Sequence, residues 1–117
     1  MMADTTAKQR HSMRDEEIRN VKVSFADVLD AGELLNGTPT ATILPAGPNI
    51  DAGKVAVSTA LETINGKRVA IGEAILFEID ALTGVYAVVS GTEYTITVTA
   101  PTDGGQTLKQ DLILTGE

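Results

Sequence analysis

Apolar and polar residues alternate with a period of two through the last third of the chain. In Glu93-Tyr94-Thr95-Ile96-Thr97-Val98-Thr99-Ala100, one face carries Tyr94, Ile96 and Val98, and the other carries Thr95, Thr97 and Thr99. That is the spacing of a strand with one face on a core and one in water. The polar run Pro101-Thr102-Asp103-Gly104-Gly105-Gln106 then supplies a tight loop, and Thr107 to Leu114 reads as a return strand. Together they predict the closing hairpin of a β-sandwich.

Earlier segments repeat the pattern in shorter pieces. Val21-Lys22-Val23-Ser24-Phe25 alternates, and residues 26–37, with Asp27, Asp30, Gly32, Glu33, Asn36 and Gly37, read as a loop or one helical turn crossing between sheets. A strand is expected from about Thr38 to Leu44, ended by Pro45-Ala46-Gly47-Pro48, and another over Lys54 to Ala60. Asn65-Gly66 suits a two-residue hairpin loop between residues 61–64 and 67–71. Residues 74–80 are nearly continuously apolar, as in a strand covered on both faces; a helix competes there, but Ile and Phe favour the strand. Tyr86 to Val89 adds a short strand. The expected core contains Val23, Phe25, Val57, Phe77, Ile79, Tyr94, Ile96, Val98, Leu112 and Leu114.

Residues 1–19 differ from the rest and read as an N-terminal arm preceding a body at 20–117. They are polar and charged without a burial period, and Ser12-Met13-Arg14-Asp15 followed by Glu16 and Glu17 fits a capping box. A single helical turn and an extended peptide both remain open for this stretch. Having little to bury against its own domain, the arm is expected to be dispensable for folding and to become ordered on another subunit. In that reading Met13 and Ile18 fill apolar pockets while Arg10, Arg14 and Arg19 pair with acids at the rim.

The 117 residues suffice for one domain with a single core. Phe25, Phe77, Tyr86 and Tyr94 are the only aromatics, so Val, Ile, Leu and Ala must build most of that core. There is no Cys, and nothing points to an oxidising compartment. No apolar run approaches the roughly 20 residues that span a bilayer, so a soluble protein without membrane contact is expected, made and assembled in cytoplasm. Residues 1–20 are balanced, with Asp4, Asp15, Glu16 and Glu17 against Lys8, Arg10, Arg14 and Arg19, which leaves the whole net charge of −7 on the body. An acidic β-body repels nucleic acid, which needs clustered cations.

The residue inventory argues against catalysis. The single His, His11, lies in the arm, no thiol is available, and Gly104-Gly105 precedes a strand rather than a helix N-terminus. Glu73, Glu78 and Asp80 are close in sequence, but Glu78 and Asp80 on one strand face are what a solvated face looks like, and no Trp offers a sugar platform. Asp27, Asp30 and Glu33 are candidate calcium ligands; their spacing matches no established calcium loop, and they read as solvated loop acids. No cofactor is expected.

Two resemblances give the pattern a context. Tyr94, just inside a late strand after Gly91-Thr92-Glu93, resembles the tyrosine corner of immunoglobulin-like domains, in which the ring packs inward and the hydroxyl ties down the preceding loop. The Pro-Gly break at 44–48, the strand Gly91 to Ala100 and the segment Asp103-Gly104-Gly105-Gln106-Thr107 resemble small bacteriophage fibre-tail adaptor proteins, most specifically over residues 91–115. The fold this implies is all-β, an immunoglobulin-like β-sandwich of about seven strands with an extended N-terminal arm. The role it implies is a structural virion protein that attaches tail fibres through contacts with tail, collar, fibre or capsid proteins, in multiple copies of a symmetric assembly. A head decoration protein is the alternative, and a carbohydrate-binding module using Tyr86 a more distant one. No catalytic or ligand residue accompanies the resemblance.

Overall fold

The computed structural model describes residues 9–14, 17–45, 47–64, 66–81 and 88–117. Alternation in the last third produces two long strands, β9 (Glu93–Pro101) and β10 (Thr107–Gly116), paired antiparallel from Thr107 opposite Pro101 to Thr115 opposite Glu93. Ahead of them lie β1 (Gln9–Met13), β2 (Ile18–Ser24), β3 (Thr40–Leu44), β4 (Asn49–Ile50), β5 (Ala56–Val57), β6 (Glu62–Ile64), β7 (Lys67–Val69) and β8 (Ala74–Asp80). The described residues thus hold ten strand segments where about seven were expected. They contain no α-helix, only a 3-10 turn at Ala52–Lys54, so residues 26–37 do not supply the helix considered for them; Asp15 and Glu16 of the turn considered in the arm fall outside the described residues.

One sheet has the order β1-β10-β9-β3, the other β2-β8-β4, with β5 also pairing β8. Met13, Tyr94, Ile96, Val98, Leu112 and Leu114 from the first sheet pack with Val21, Val23, Ile75, Phe77 and Ile79 from the second in one hydrophobic cluster. The protein is therefore all-β and sandwich-like. Phase along β8 settles its two faces: Ile75, Phe77 and Ile79 point into this core, whereas Leu76, Glu78 and Asp80 on the opposite face are half-buried. Ala74 is covered with Ile64 and Val69 in a small second cluster under the β6–β7 hairpin, which accounts for the nearly continuous apolar run.

The strand expected over 54–60 shrinks to β5. Lys54 closes the 3-10 turn by donating its N–H to Asp51 O (2.9 Å), and Ser58, 2% exposed, leaves the ladder to accept the Gly72 N–H on its hydroxyl (3.1 Å). With β4 on the other side of that turn, β5 makes an interrupted edge along β8, and Val57 is half-buried rather than core. Val88 and Val89 lie outside any strand; Tyr86 and Ala87 fall outside the described residues, as does Asn65 of the β6–β7 turn.

The Tyr94 ring is 1% exposed, and its hydroxyl accepts the Val89 N–H at 3.0 Å. Two glycines make room around it. A Cβ on Gly47 would come within 2.7 Å of Tyr94 Cε1, and one on Gly116 would collide with the Val89 carbonyl. The 88–92 loop is further strapped to the end of β10 by Gly91 N–H to Gly116 O and Gly116 N–H to Thr92 O, both 2.9 Å.

Tyr94→Phe is expected to cost about 1 kcal/mol through the lost loop hydrogen bond, and Tyr94→Ala about 3 to 5 kcal/mol by emptying the core. Urea denaturation separates them; equal midpoints for both variants and the parent protein would mean that Tyr94 does not anchor the loop.

Candidate interaction edge

The arm does not stand apart from the body. Gln9–Met13 forms β1, which pairs parallel with β10 from Gln9 opposite Leu112 to Met13 opposite Gly116. Ile18 and Arg19 open β2, opposite Asp80 and Ile79 of β8. Residues 9–13 and 18–19, read from the sequence as part of an arm, thus pair with strands of the body. The physical reason is that a strand can be held by backbone hydrogen bonds to an exposed edge while most of its side chains stay polar. Met13, at 0% exposure, packs in the core of its own chain.

β1 is an edge of one sheet and β2 an edge of the other, and residues 14–17 connect them. One side of the molecule therefore presents two sheet edges next to each other. Register puts His11 opposite Leu114 and Arg19 opposite Ile79, both partners fully buried, so His11 and Arg19 share the inward phase of their strands at the open side of the core. His11 is half-buried; that burial, and then the Arg19 guanidinium, hold its pKa below the usual 6.5.

The other arm cations lie along the same edges. Arg10 Nη1 is 3.4 Å from Glu93 Oε2, Arg14 Nε 3.4 Å from Glu117 Oε1, and Arg19 Nε 3.7 Å from Glu17 Oε1. All three pairs are substantially exposed, and such pairs contribute about 0–1 kcal/mol each, so they orient more than they stabilise. Glu117 also donates its N–H to Met13 O at 3.0 Å, while the Ser12 hydroxyl and then Arg14 hold its carboxyl below 4.5. Ile18 remains 45% exposed beside this group. Arg10 thus lies on β1 and Arg14 just after it, Ile18 and Arg19 open β2, Met13 is buried in the core, and half-buried His11, unforeseen from the sequence, shares the inward phase of Met13. The available signal was the i, i+2 spacing of His11 and Met13, a strand period inside a polar stretch.

At the far end of β9 a second polar cluster has a structural task. Thr102 donates its hydroxyl to Glu33 Oε2 (2.6 Å), Gln106 Nε2 donates to Glu33 Oε1 (3.1 Å) and to Asp30 Oδ2 (2.8 Å), and the Asp30 N–H donates to Glu33 Oε1 (3.2 Å). The Thr102 hydrogen bond is the main cause holding the Glu33 carboxyl below its ordinary range. Asp103 adds an Oδ1 acceptor for the Leu34 N–H at 3.1 Å. The Glu33 oxygens are thereby committed to donors of the β9–β10 loop. Among the described residues no group of three or more His, Cys, Asp or Glu side chains is placed to hold a metal ion, the Asp27, Asp30 and Glu33 set included. Tyr86, the candidate sugar platform, lies outside the described residues.

No model of a known protein family matches the chain, and no curated protein matches it.

Met13→Ala should cost about 2 to 5 kcal/mol, the range for emptying a buried site of this size, whereas Arg10→Ala should stay within about 1 kcal/mol. Thermal or urea denaturation reads both, and a Met13→Ala midpoint equal to the parent's would place β1 outside the folded unit.

His11 supplies a pH dependence of known sign. Because its folded pKa lies below the unfolded value of 6.5, the unfolded chain binds the proton first. Stability is full above pH 6.5 and declines as the pH falls below it, and His11→Gln should remove that component. As the single histidine of the chain, its ring-proton titration by NMR is free of overlap; a midpoint at or above 6.5 would contradict the buried, Arg19-facing placement.

Proposed function

We propose that the two sheets constitute an immunoglobulin-like sandwich and that the protein is a structural subunit of a bacteriophage particle, acting as a tail or collar adaptor that attaches fibres through protein–protein contacts. The strand order favours the fold reading: β1 adds parallel to β10, β10-β9-β3 forms one layer and β2-β8-β4 the other, and the Tyr94 hydroxyl ties the loop before β9. The role is carried by the β1–β2 side. Two sheet edges, with Arg10 on β1, Arg14 just after it, and the exposed Ile18 and Arg19 opening β2, bring cations and an apolar side chain to one side of an otherwise acidic body. Such a side suits an acidic or strand-bearing neighbour in a virion better than a small molecule. The G-T-x-Y-T pattern at Gly91 to Thr95 and the loop at 103–107 add their resemblance to fibre-tail adaptors.

In this reading the protein works by position. The rigid sandwich holds its edge and loops at fixed spacing, multiple copies repeat them around a symmetric structure assembled in the host cytoplasm, and no chemistry is required of any side chain.

Mass spectrometry of purified particles, followed by cryo-electron microscopy, tests the proposal. The expected result is this chain in multiple copies at the tail or collar, with the β1–β2 side against a neighbouring protein. Its absence from particles would overturn the role, and copies confined to the head shell would replace the adaptor reading with a decoration role.

A further inference from the structure

We infer that β1 is an exchangeable strand, which can leave its own β10 and occupy the same position on β10 of a second copy of this chain. The inference goes beyond the assembly role and does not depend on it. β1 is the outermost strand of its sheet, and its described contacts with the core reduce to one fully buried side chain, Met13, at its last position. Arg10 is exposed, and His11 and Ser12 are half-buried. The rest of that layer, β10-β9-β3, is joined through its own antiparallel ladders and does not need β1 to complete them. Parallel pairing is also slightly weaker per residue than antiparallel.

The edge left behind is specific for what vacated it. Without β1, the stretch Leu112 to Gly116 presents unpaired backbone, and the core has an opening shaped for Met13. A second copy of β1 restores the same register, the same thioether and the same ion pairs to Glu93 and Glu117. Exchange of an identical element therefore conserves its contacts, and higher concentration shifts the balance toward the exchanged form.

The closed form is held by a latch at the crossing between sheets. Glu17 accepts the Arg14 N–H on Oε1 at 2.7 Å, lies 3.7 Å from Arg19 Nε through the same oxygen, and accepts the Ala81 N–H on its carbonyl at 3.0 Å. The side chain turns the chain from β1 toward β2, so it favours pairing within one molecule over pairing between two.

The chain has no cysteine, which permits a direct test. Ser12 and Thr115 are register partners on β1 and β10, so a thiol on each is near enough for a disulfide. Full-length Ser12→Cys and full-length Thr115→Cys proteins, one carrying an affinity tag, are unfolded together, refolded over a range of concentrations and then oxidised. Exchange predicts a mixed disulfide between the two variants mixed in equal amounts, at twice the 12.2 kDa chain mass, exceeding the two like-with-like dimers combined and rising with concentration. Adding Glu17→Ala to both chains should raise its yield at least threefold. A mixed dimer no more abundant than the two like-with-like dimers combined, at every concentration, would overturn the exchange, and a yield indifferent to Glu17→Ala would overturn the latch. A combined Ser12→Cys, Thr115→Cys chain that closes on itself shows in parallel that both substitutions keep the fold. Since no particle enters the experiment, its failure leaves the adaptor reading untouched, and failure of that reading leaves exchange untouched.

Discussion

The antiparallel ladder between β9 and β10 is the constraint on which the rest of the molecule depends. Every other strand of that sheet attaches to one of these two, β3 to β9 and β1 to β10, and the inward residues Tyr94, Ile96, Val98, Leu112 and Leu114 form much of that sheet's side of the main core. A one-residue slip would turn those side chains outward and their threonine neighbours inward. The register is guarded at both ends. Thr102 and Gln106 are gripped by Glu33 at the loop, and Gly116 is bonded to Gly91 and Thr92 at the other end. Slippage would break both fastenings together.

A core with so few aromatics is closed by backbone approach as much as by bulk. Gly47 lies against the Tyr94 ring and Gly116 against the Val89 carbonyl, so two loops come closer than a Cβ permits. The hydroxyl of Tyr94 then gives the second of these loops a polar partner inside an apolar setting. Ser58 performs the same service for Gly72 at the edge of the opposite layer. Small residues and single buried hydroxyls thus replace the large rings that other domains place at their centre.

What could be read in advance follows the same physics. β8, β9 and β10 were legible at nearly their observed bounds because their alternation is long and their apolar phase unbroken. β1 was hidden, since a polar strand bound through its backbone leaves little trace in hydropathy, and among its described side chains Met13 and half-buried His11 keep the inward phase. Val55 and Val57 suggested a full strand, but the buried Ser58 hydroxyl drew the chain out of the ladder, a pairing that depends on residues distant in sequence. The candidate edge was legible in its residue types and illegible in its placement. Arg10, Arg14 and Arg19 do line an exposed side, yet their acidic partners include Glu93 and Glu117 from the other end of the chain.

The parallel sense of the β1–β10 pair also governs how the protein bears tension. A pull that enters ahead of Gln9 and leaves after Gly116 runs along both strands in opposite directions, so the register pairs between them are loaded side by side in shear. An antiparallel hairpin pulled at its open end would yield one pair at a time, like a zipper. Joining β1 and β10 in parallel lets the sandwich-like body share a load across the whole seam rather than at one pair at a time.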